Sequence, residues 1–134
     1  MSASYAAIKV EIADHIATVT LDNPRQRNPF TAELKQDMLT LCRDMQARDD
    51  IDVMIITGRD GVFSAGGDLR SLNNMDGRTT TGDRRRIYQI HEWFQTLLNL
   101  EMPVIAAVDG AAYGGGFGLA LAADFVLALS LIHI

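Results

Sequence analysis

Met102-Pro-Val-Ile-Ala-Ala-Val-Asp-Gly-Ala-Ala-Tyr-Gly-Gly-Gly-Phe-Gly-Leu-Ala-Leu-Ala-Ala-Asp124 is the stretch that decides the fold. Val104 to Val108 is an apolar run rich in β-branched residues, the pattern of a buried strand. Asp109-Gly110 breaks it. Gly114, Gly115, Gly116 and Gly118 follow, and Phe117 with Leu119 to Ala123 supplies an apolar, mostly helix-favouring segment. The reading is strand, loop, then a buried helix whose first turn is nearly all glycine. Each glycine there costs about 0.8–1 kcal/mol of helix stability against alanine. Bare N–H groups at a helix start attract anionic groups, so the glycines imply something that approaches the backbone closely. Close packing of helix on sheet is the competing explanation of the same residues.

Working outward, the upstream chain repeats the strand-loop-helix theme. Ala6 to Ile12 and Ile16 to Leu21 alternate apolar and polar residues, and the short link Ala13-Asp14-His15 makes them a hairpin. Asp22-Asn23-Pro24 ends the second strand, and Arg25 to Pro29 reads as an exposed polar loop. Thr31 or Asn28 caps a helix whose apolar stripe is Leu34, Met38, Leu41 and Met45. Glu33, Lys35, Asp37 and Arg43 fall between those positions and read as solvated surface. Val53 to Thr57 is expected to be a fully buried strand. Helices between strands point to parallel βαβ crossovers, an α/β fold with a mixed sheet.

Gly58 to Gly61 then turns the chain into Val62-Phe-Ser-Ala-Gly-Gly-Asp-Leu69, where Asp68 can cap a short helix through Leu72. Asn73 to Gly82 is polar and without apolar period, the pattern of a mobile surface segment. Asp83 is expected to start a second long helix, with Ile87, Ile90, Phe94, Leu97 and Leu98 on its inner side and Trp93 as a packing residue. Arg84, Arg85 and Arg86 in its first turn are expected in solvent. Phe125 to Leu129 reads as a further buried strand. The chain then runs out in Ser130-Leu-Ile-His-Ile134 without a turn or a polar terminus, so truncation or a non-native tail is expected there.

Composition bounds the function. A chain of 134 residues, 48% apolar and 22% charged, is one globular domain with a core. The net charge of −5 argues against a nucleic-acid surface. Cys42 is the single cysteine, so no internal disulfide forms and a reducing, cytoplasmic setting is expected. Three histidines and one cysteine make no metal cluster. Asp109 and Asp124 interrupt the apolar C-terminal stretch, so no membrane span is expected.

Two strand-to-helix junctions, Ala65-Gly66-Gly67-Asp68 and Tyr113-Gly114-Gly115-Gly116, offer backbone donors with little side-chain cover. In a parallel sheet both leave from the carboxyl edge, where ligands bind. Two N–H groups converging from different loops make an oxyanion hole for an acyl carbonyl. A dinucleotide-binding turn is the weaker reading: its glycines belong after the first strand with G-x-G-x-x-G spacing, and Leu119 stands where the third glycine belongs.

Phe63-Ser-Ala-Gly-Gly-Asp-Leu69 and Pro103 to Asp124 resemble the two signatures of the crotonase (enoyl-CoA hydratase/isomerase) superfamily, and Asn23-Pro24 with Arg27-Asn28 is similar to its early loop. The resemblance runs from about Ile8 to Leu129. It implies a crotonase-like ββα-type spiral fold, with residues 1–129 the N-terminal core of the domain and 130–134 a non-matching tail. It further implies an acyl-CoA thioester as partner, coenzyme A entering as part of the substrate with no separate cofactor, and a role in fatty acid metabolism. The N–H groups of Gly67 and Gly115 would hold the thioester oxygen as it becomes an enolate. Ala65 would lie along the adenine, with Gly66, Gly114 and Gly118 among the substrate-binding residues, Arg25 and Arg27 near the phosphates, and Leu69 and Tyr113 flanking the acyl chain. Asp68 would hold its loop in shape. Trimers or dimers of trimers are implied for the full-length protein.

One departure bears on the chemistry. Hydratases of the family place a glutamate three residues after the oxyanion glycine, and here that residue is Gly118. Hydration needs two positioned acid/base groups, whereas moving a double bond works with one. Gly118 therefore tilts the expectation toward an isomerase, and leaves open whether the chain catalyses at all. A non-catalytic acyl-CoA-binding module that has lost the acid is the alternative. Asp109 and Asp124 qualify as bases by charge alone and are expected to be structural.

Overall fold

The computed structural model describes residues 4–68 and 79–129. A hairpin opens the chain, β1 (Ile8–Ala13) and β2 (Ile16–Leu21) pairing antiparallel. Asp14 and His15 turn it with φ of 52° and 65°, the left-handed geometry of a two-residue hairpin turn. Strand β2 then runs parallel to β4 (Val53–Gly58), β4 parallel to β7 (Val104–Val108), and β7 parallel to β9 (Phe125–Ala128). The five-stranded order is β1-β2-β4-β7-β9. The mixed sheet with parallel crossovers matches the expectation from the sequence.

One face of this sheet is the core. Register places Ala17, Met54 and Val104 on one rung and Val19, Ile56 and Ala106 on another, and all six are buried. Helix α1 (Ala32–Gln46) packs there through Leu34, Met38, Leu41 and Met45, the stripe its sequence shows. Thr31, not Asn28, caps it, its hydroxyl accepting from Leu34 N–H at 3.1 Å. Burial pushes the Cys42 thiol up to about 12, so it is a packed, unreactive group.

Several expectations need correction. Lys35 is not solvated surface but buried, and Asp37 is half-buried, accepting from Ala7 N–H at 2.6 Å. Strand β4 is not buried throughout: Val53 and Ile55 point to the second, partly covered face. Helix α2 (Thr80–Leu98) begins three residues before Asp83. The Thr79 hydroxyl accepts from Gly82 N–H at 2.9 Å, a cap that offsets the poor helix propensity of Thr80-Thr81-Gly82. Its buried residues are Trp93 and Leu97, with Ile90 and Phe94 half-buried. Ile87 and Leu98 are exposed, since they lie off the stripe Arg86, Ile90, Trp93, Leu97 that faces inward. Arg86 is not in solvent alone; it pairs with Asp83, while Arg84 and Arg85 are exposed. Strand β9 is an edge strand, and Phe125 and Leu127 are exposed rather than buried. The expected helix from Asp68 to Leu72 and the segment 73–78 fall outside the described residues, as does the 130–134 tail. No described helix is long and apolar enough to cross a membrane.

The early loop is more than an exposed turn. Pro24–Gln26 forms a short 3-10 turn with Arg25 and Arg27 exposed, but Asn28 and Pro29 are buried. The Asn28 side chain accepts from Asn23 N–H at 2.6 Å and donates to Phe63 C=O at 2.9 Å. Asn28→Ala leaves the buried Phe63 carbonyl without a partner, at about 1–3 kcal/mol, and the half-buried Asn23 N–H at about 1 kcal/mol more. We expect urea denaturation of Asn28→Ala to show a stability loss of about 2–4 kcal/mol, with an unchanged m-value; a loss within ~0.5 kcal/mol, the range of ordinary surface changes, would refute that role.

Candidate active site

The parallel strands β2, β4 and β7 send three segments out from one edge of the sheet: 22–30, 59–67 and 109–115. Two small ladders tie these segments together. Strand β3 (Pro29–Phe30) pairs parallel with β6 (Gly66–Gly67), matching Pro29 to Gly66 and Phe30 to Gly67. Strand β5 (Val62–Ser64) pairs parallel with β8 (Ala111–Ala112). The sequence motifs sit on these ladders.

Ser64 is the staple between them, and sequence reading gave it no role. It is wholly buried, donates its hydroxyl to Asn28 C=O at 2.7 Å and accepts from Gly66 N–H at 3.1 Å. Its carbonyl accepts from Tyr113 N–H at 2.9 Å. Ala65 N–H in turn donates to Arg27 C=O at 2.8 Å. The early loop, the first glycine loop and the second glycine loop are thereby locked to one another. A small hydroxyl residue inside an apolar run was the available signal.

Helix α3 (Gly115–Ala122) starts at this junction. It is only partly buried: Gly116, Leu119 and Ala120 face inward, whereas Phe117 and Leu121 are exposed. Gly114 precedes it with φ 51°. Three of the first four N–H groups find carbonyls: Gly116 donates to Tyr113 at 2.8 Å, Phe117 to Tyr113 at 3.4 Å and Gly118 to Gly114 at 3.1 Å. Among the described residues, the Gly115 N–H is the one left without a carbonyl of this turn.

Strand β6 lies directly against that amide. A Cβ built on Gly66 would sit 2.5 Å from Gly115 N, and Gly66 has φ 84°. Only glycine meets both conditions. Gly67, the next residue, is exposed. A Cβ on Gly115 would sit 2.6 Å from the Phe30 ring, and one on Gly116 would overlap the Ser64 carbonyl. The glycines of the second loop thus serve close packing, and among the described residues the Gly115 N–H has no carbonyl of its own turn.

The remaining candidates are placed as follows. Arg25 and Arg27 are exposed on the early loop, Ala65 is half-buried between β5 and β6, and Tyr113 is exposed beside Gly114. Asp68 follows Gly67 and is engaged in an interaction. Leu69 lies outside the described residues. Gly118 has ordinary space: a Cβ there would be 3.7 Å from the Phe94 ring. Phe94 belongs to an edge-to-face cluster with Phe30 and Trp93, whose ring centroids lie 4.3–6.1 Å apart, and this cluster backs the glycine turn. Asp124 is structural, as expected: its carboxylate accepts from Val104 N–H at 2.8 Å and its N–H donates to Val104 C=O at 2.8 Å. Among the described residues no group of histidine, cysteine and acidic side chains could hold a metal.

Comparison with known proteins identifies the family. The family model described as enoyl-CoA hydratase/isomerase matches residues 11–130. The crystal structure of an enoyl-CoA hydratase from Polaromonas sp. JS666 superposes with a TM-score of 0.88 at 35% identity, covering 95% of this chain and 49% of that one. Carboxymethylproline synthase from Pectobacterium carotovorum is 35% identical over 126 residues, covering 85% of this chain and 45% of the synthase. A 4-chlorobenzoyl coenzyme A dehalogenase from Arthrobacter is 31% identical over 121 residues, covering 90% of this chain and 44% of the dehalogenase. The chain therefore spans about half the length of the curated relatives it matches. By the family match and the crotonase-type fold together, the chain belongs to the enoyl-CoA hydratase/isomerase family.

Proposed function

We propose that this chain binds an acyl-CoA thioester and stabilises its enolate between the backbone N–H groups of Gly67 and Gly115. The observation that carries the reading is the Gly115 amide, left without a carbonyl at the start of α3 and pressed against the β6 strand that holds Gly67. Two preorganised donors at a developing oxyanion act without reorganisation during the reaction, which is why such holes contribute heavily to acyl chemistry. Arg25 and Arg27, exposed on the loop whose carbonyl holds Ala65, would receive the phosphates of the coenzyme. Tyr113 would border the acyl chain.

The reaction branch follows from residue 118. With glycine there, the hole has no carboxylate on the next turn of α3, which favours double-bond isomerisation over hydration. The relatives described above are named as a hydratase, a synthase and a dehalogenase, so one scaffold accommodates several outcomes. Assaying the full-length protein with enoyl-CoA isomers differing in double-bond position tests the reading, and turnover of at least one is expected. Binding of a CoA thioester with no turnover would favour the non-catalytic module, to which the missing acid also points. Absence of any thioester binding would overturn both.

Gly118 supplies a further check. Its Cβ position makes only an ordinary contact with the Phe94 ring and its φ is not left-handed, so Gly118→Glu is expected to fold, gaining up to about 1 kcal/mol of helix propensity. A single well-placed acid/base group contributes about 10²–10⁴-fold. Enoyl-CoA hydration by Gly118→Glu should rise by about tenfold or more over the parent chain, at the low side of that range because a second group is not supplied. No rise in a well-folded variant would remove residue 118 from the chemistry.

A further inference from the structure

Strand β3 is two residues long, and its second residue, Phe30, adjoins both of the glycines whose amides the proposed function uses. Its backbone lies beside one of them. Phe30 is in register with Gly67 on the parallel β3–β6 ladder, and neighbouring strands of a sheet run about 4.8 Å apart. Its ring lies on the other. Phe30 Cε2 stands 2.6 Å from the point where a Cβ of residue 115 would be, with Cδ2 at 3.1 Å and Cζ at 3.4 Å. The edge of the ring thus fills the room that glycine leaves at the start of α3. Core filling explains an apolar residue at position 30. It does not explain why the residue opposite has to be bare, and the two together make one complementary contact.

Phe30 is itself held in place. Thr31, the next residue, donates its N–H to Pro29 C=O at 2.8 Å and caps α1 through its hydroxyl. The backbone at position 30 therefore cannot shift without moving a 15-residue helix. The ring is buried and meets Trp93 and Phe94 of α2 edge to face, at centroid separations of 5.5 and 6.1 Å. Rings packed edge to face prefer a defined geometry, and a close-packed interior transmits a displacement instead of absorbing it. The ladder on one side and the ring on the other hold β6 and the first turn of α3 at a fixed separation. Two donors serve one oxyanion only when each lies within about 2.7–3.1 Å of it, so this separation is what such chemistry depends on.

We propose that Phe30 is a positioning residue of the acyl site: its backbone beside Gly67 and its ring against Gly115 set the distance between the two amides that receive the thioester oxygen. This rests on the enolate reading above and adds what aligns its donors.

Butanoyl-CoA and S-butyl-CoA differ at one position, a thioester carbonyl in place of a methylene. The ratio of their affinities for the full-length protein therefore reads the two donors, with or without turnover. Calorimetric titration should show butanoyl-CoA binding about tenfold tighter to the parent protein, as hydrogen bonds to one carbonyl allow. Leucine keeps position 30 apolar but lacks Cε2 and Cζ. Phe30→Leu should cut the preference to about twofold or less, since small misplacements of a donor are costly, and leave the affinity for S-butyl-CoA as it was. Gly115→Ala crowds the same contact from the opposite side and should cut the preference too. Combining Phe30→Leu with Gly115→Ala puts the new Cβ where the ring edge was, and should restore most of it. An unchanged preference in Phe30→Leu overturns the proposal and spares the enolate reading. Equal weakening of both ligands, or loss of the folded circular-dichroism signal, makes Phe30 a structural residue and overturns it as well. So does a double variant that recovers nothing, because the ring contact then transmits nothing. If the parent protein binds the two compounds equally, or binds neither, the two-donor reading falls, and this inference with it.

Discussion

Gly115→Pro should lower kcat on a CoA thioester by about 10²–10³-fold, the loss expected when one oxyanion donor of roughly 2.7–4 kcal/mol is removed. Proline deletes the N–H and nothing else that the helix needs, because Gly115 is the first residue of α3 and proline is well tolerated at that position. The Cβ it brings meets the Phe30 ring at 2.6 Å, so a fall in activity by itself would be ambiguous. Gly115→Ala resolves this. It brings the same Cβ against the same ring and keeps the amide. The alanine variant therefore measures the cost of displacing Phe30, and the ratio of the two variants measures the donor. Steady-state kinetics on both, with circular dichroism to establish folding, is sufficient. Equal activity of the two variants would show that the Gly115 amide does not stabilise the transition state, and the proposed chemistry would lose its main support.

The largest effect on stability is expected at Gly110. Its φ of 98° lies where side chains are strained, and a Cβ there would overlap the carbonyl of Gly61. Neither partner is the end of a flexible side chain, so one backbone segment has to move. Strain at such a φ costs about 1–3 kcal/mol and overpacking a further 1–3 kcal/mol. Gly110→Ala should therefore lose about 2–6 kcal/mol, a large part of the stability of a single domain. The melting temperature should drop by roughly 5–20 °C, at a few degrees per kcal/mol for a chain of this size. Because Gly110 and Gly61 carry the turns that lead into β8 and β5, the same change should loosen the ladder on which both glycine loops depend. A drop below ~2 °C, less than one kcal/mol is expected to produce, would show that the turn relaxes freely and that the close approach is not needed.

The hairpin, the parallel crossovers and the stripe of α1 were legible because each depends on a periodicity that local sequence carries. Alternation in Ile16 to Leu21, the spacing of Leu34, Met38, Leu41 and Met45, and the run Val104 to Val108 all report burial on one face. The two glycine loops were legible for another reason: glycine in a helix start is costly enough to require a cause. Misreadings occurred where burial depends on a neighbour. Phe125 to Ala128 has the composition of an inner strand, but its place at the sheet edge leaves it exposed. Lys35 has the composition of surface, yet it is buried. Ile87 and Leu98 looked equivalent to Trp93 and Leu97 until the face of α2 that meets α1 was fixed.

By itself, the sequence determined the elements, the parallel crossovers between them and the two glycine loops, because propensity, periodicity and the cost of glycine act within a few residues. Only the tertiary structure decided that Ser64 and Asn28 lock three loops together and that Gly66 rests on the Gly115 amide. Those contacts join residues far apart in the chain. Their energies come from desolvation and from the geometry of one particular packing, which no local pattern encodes.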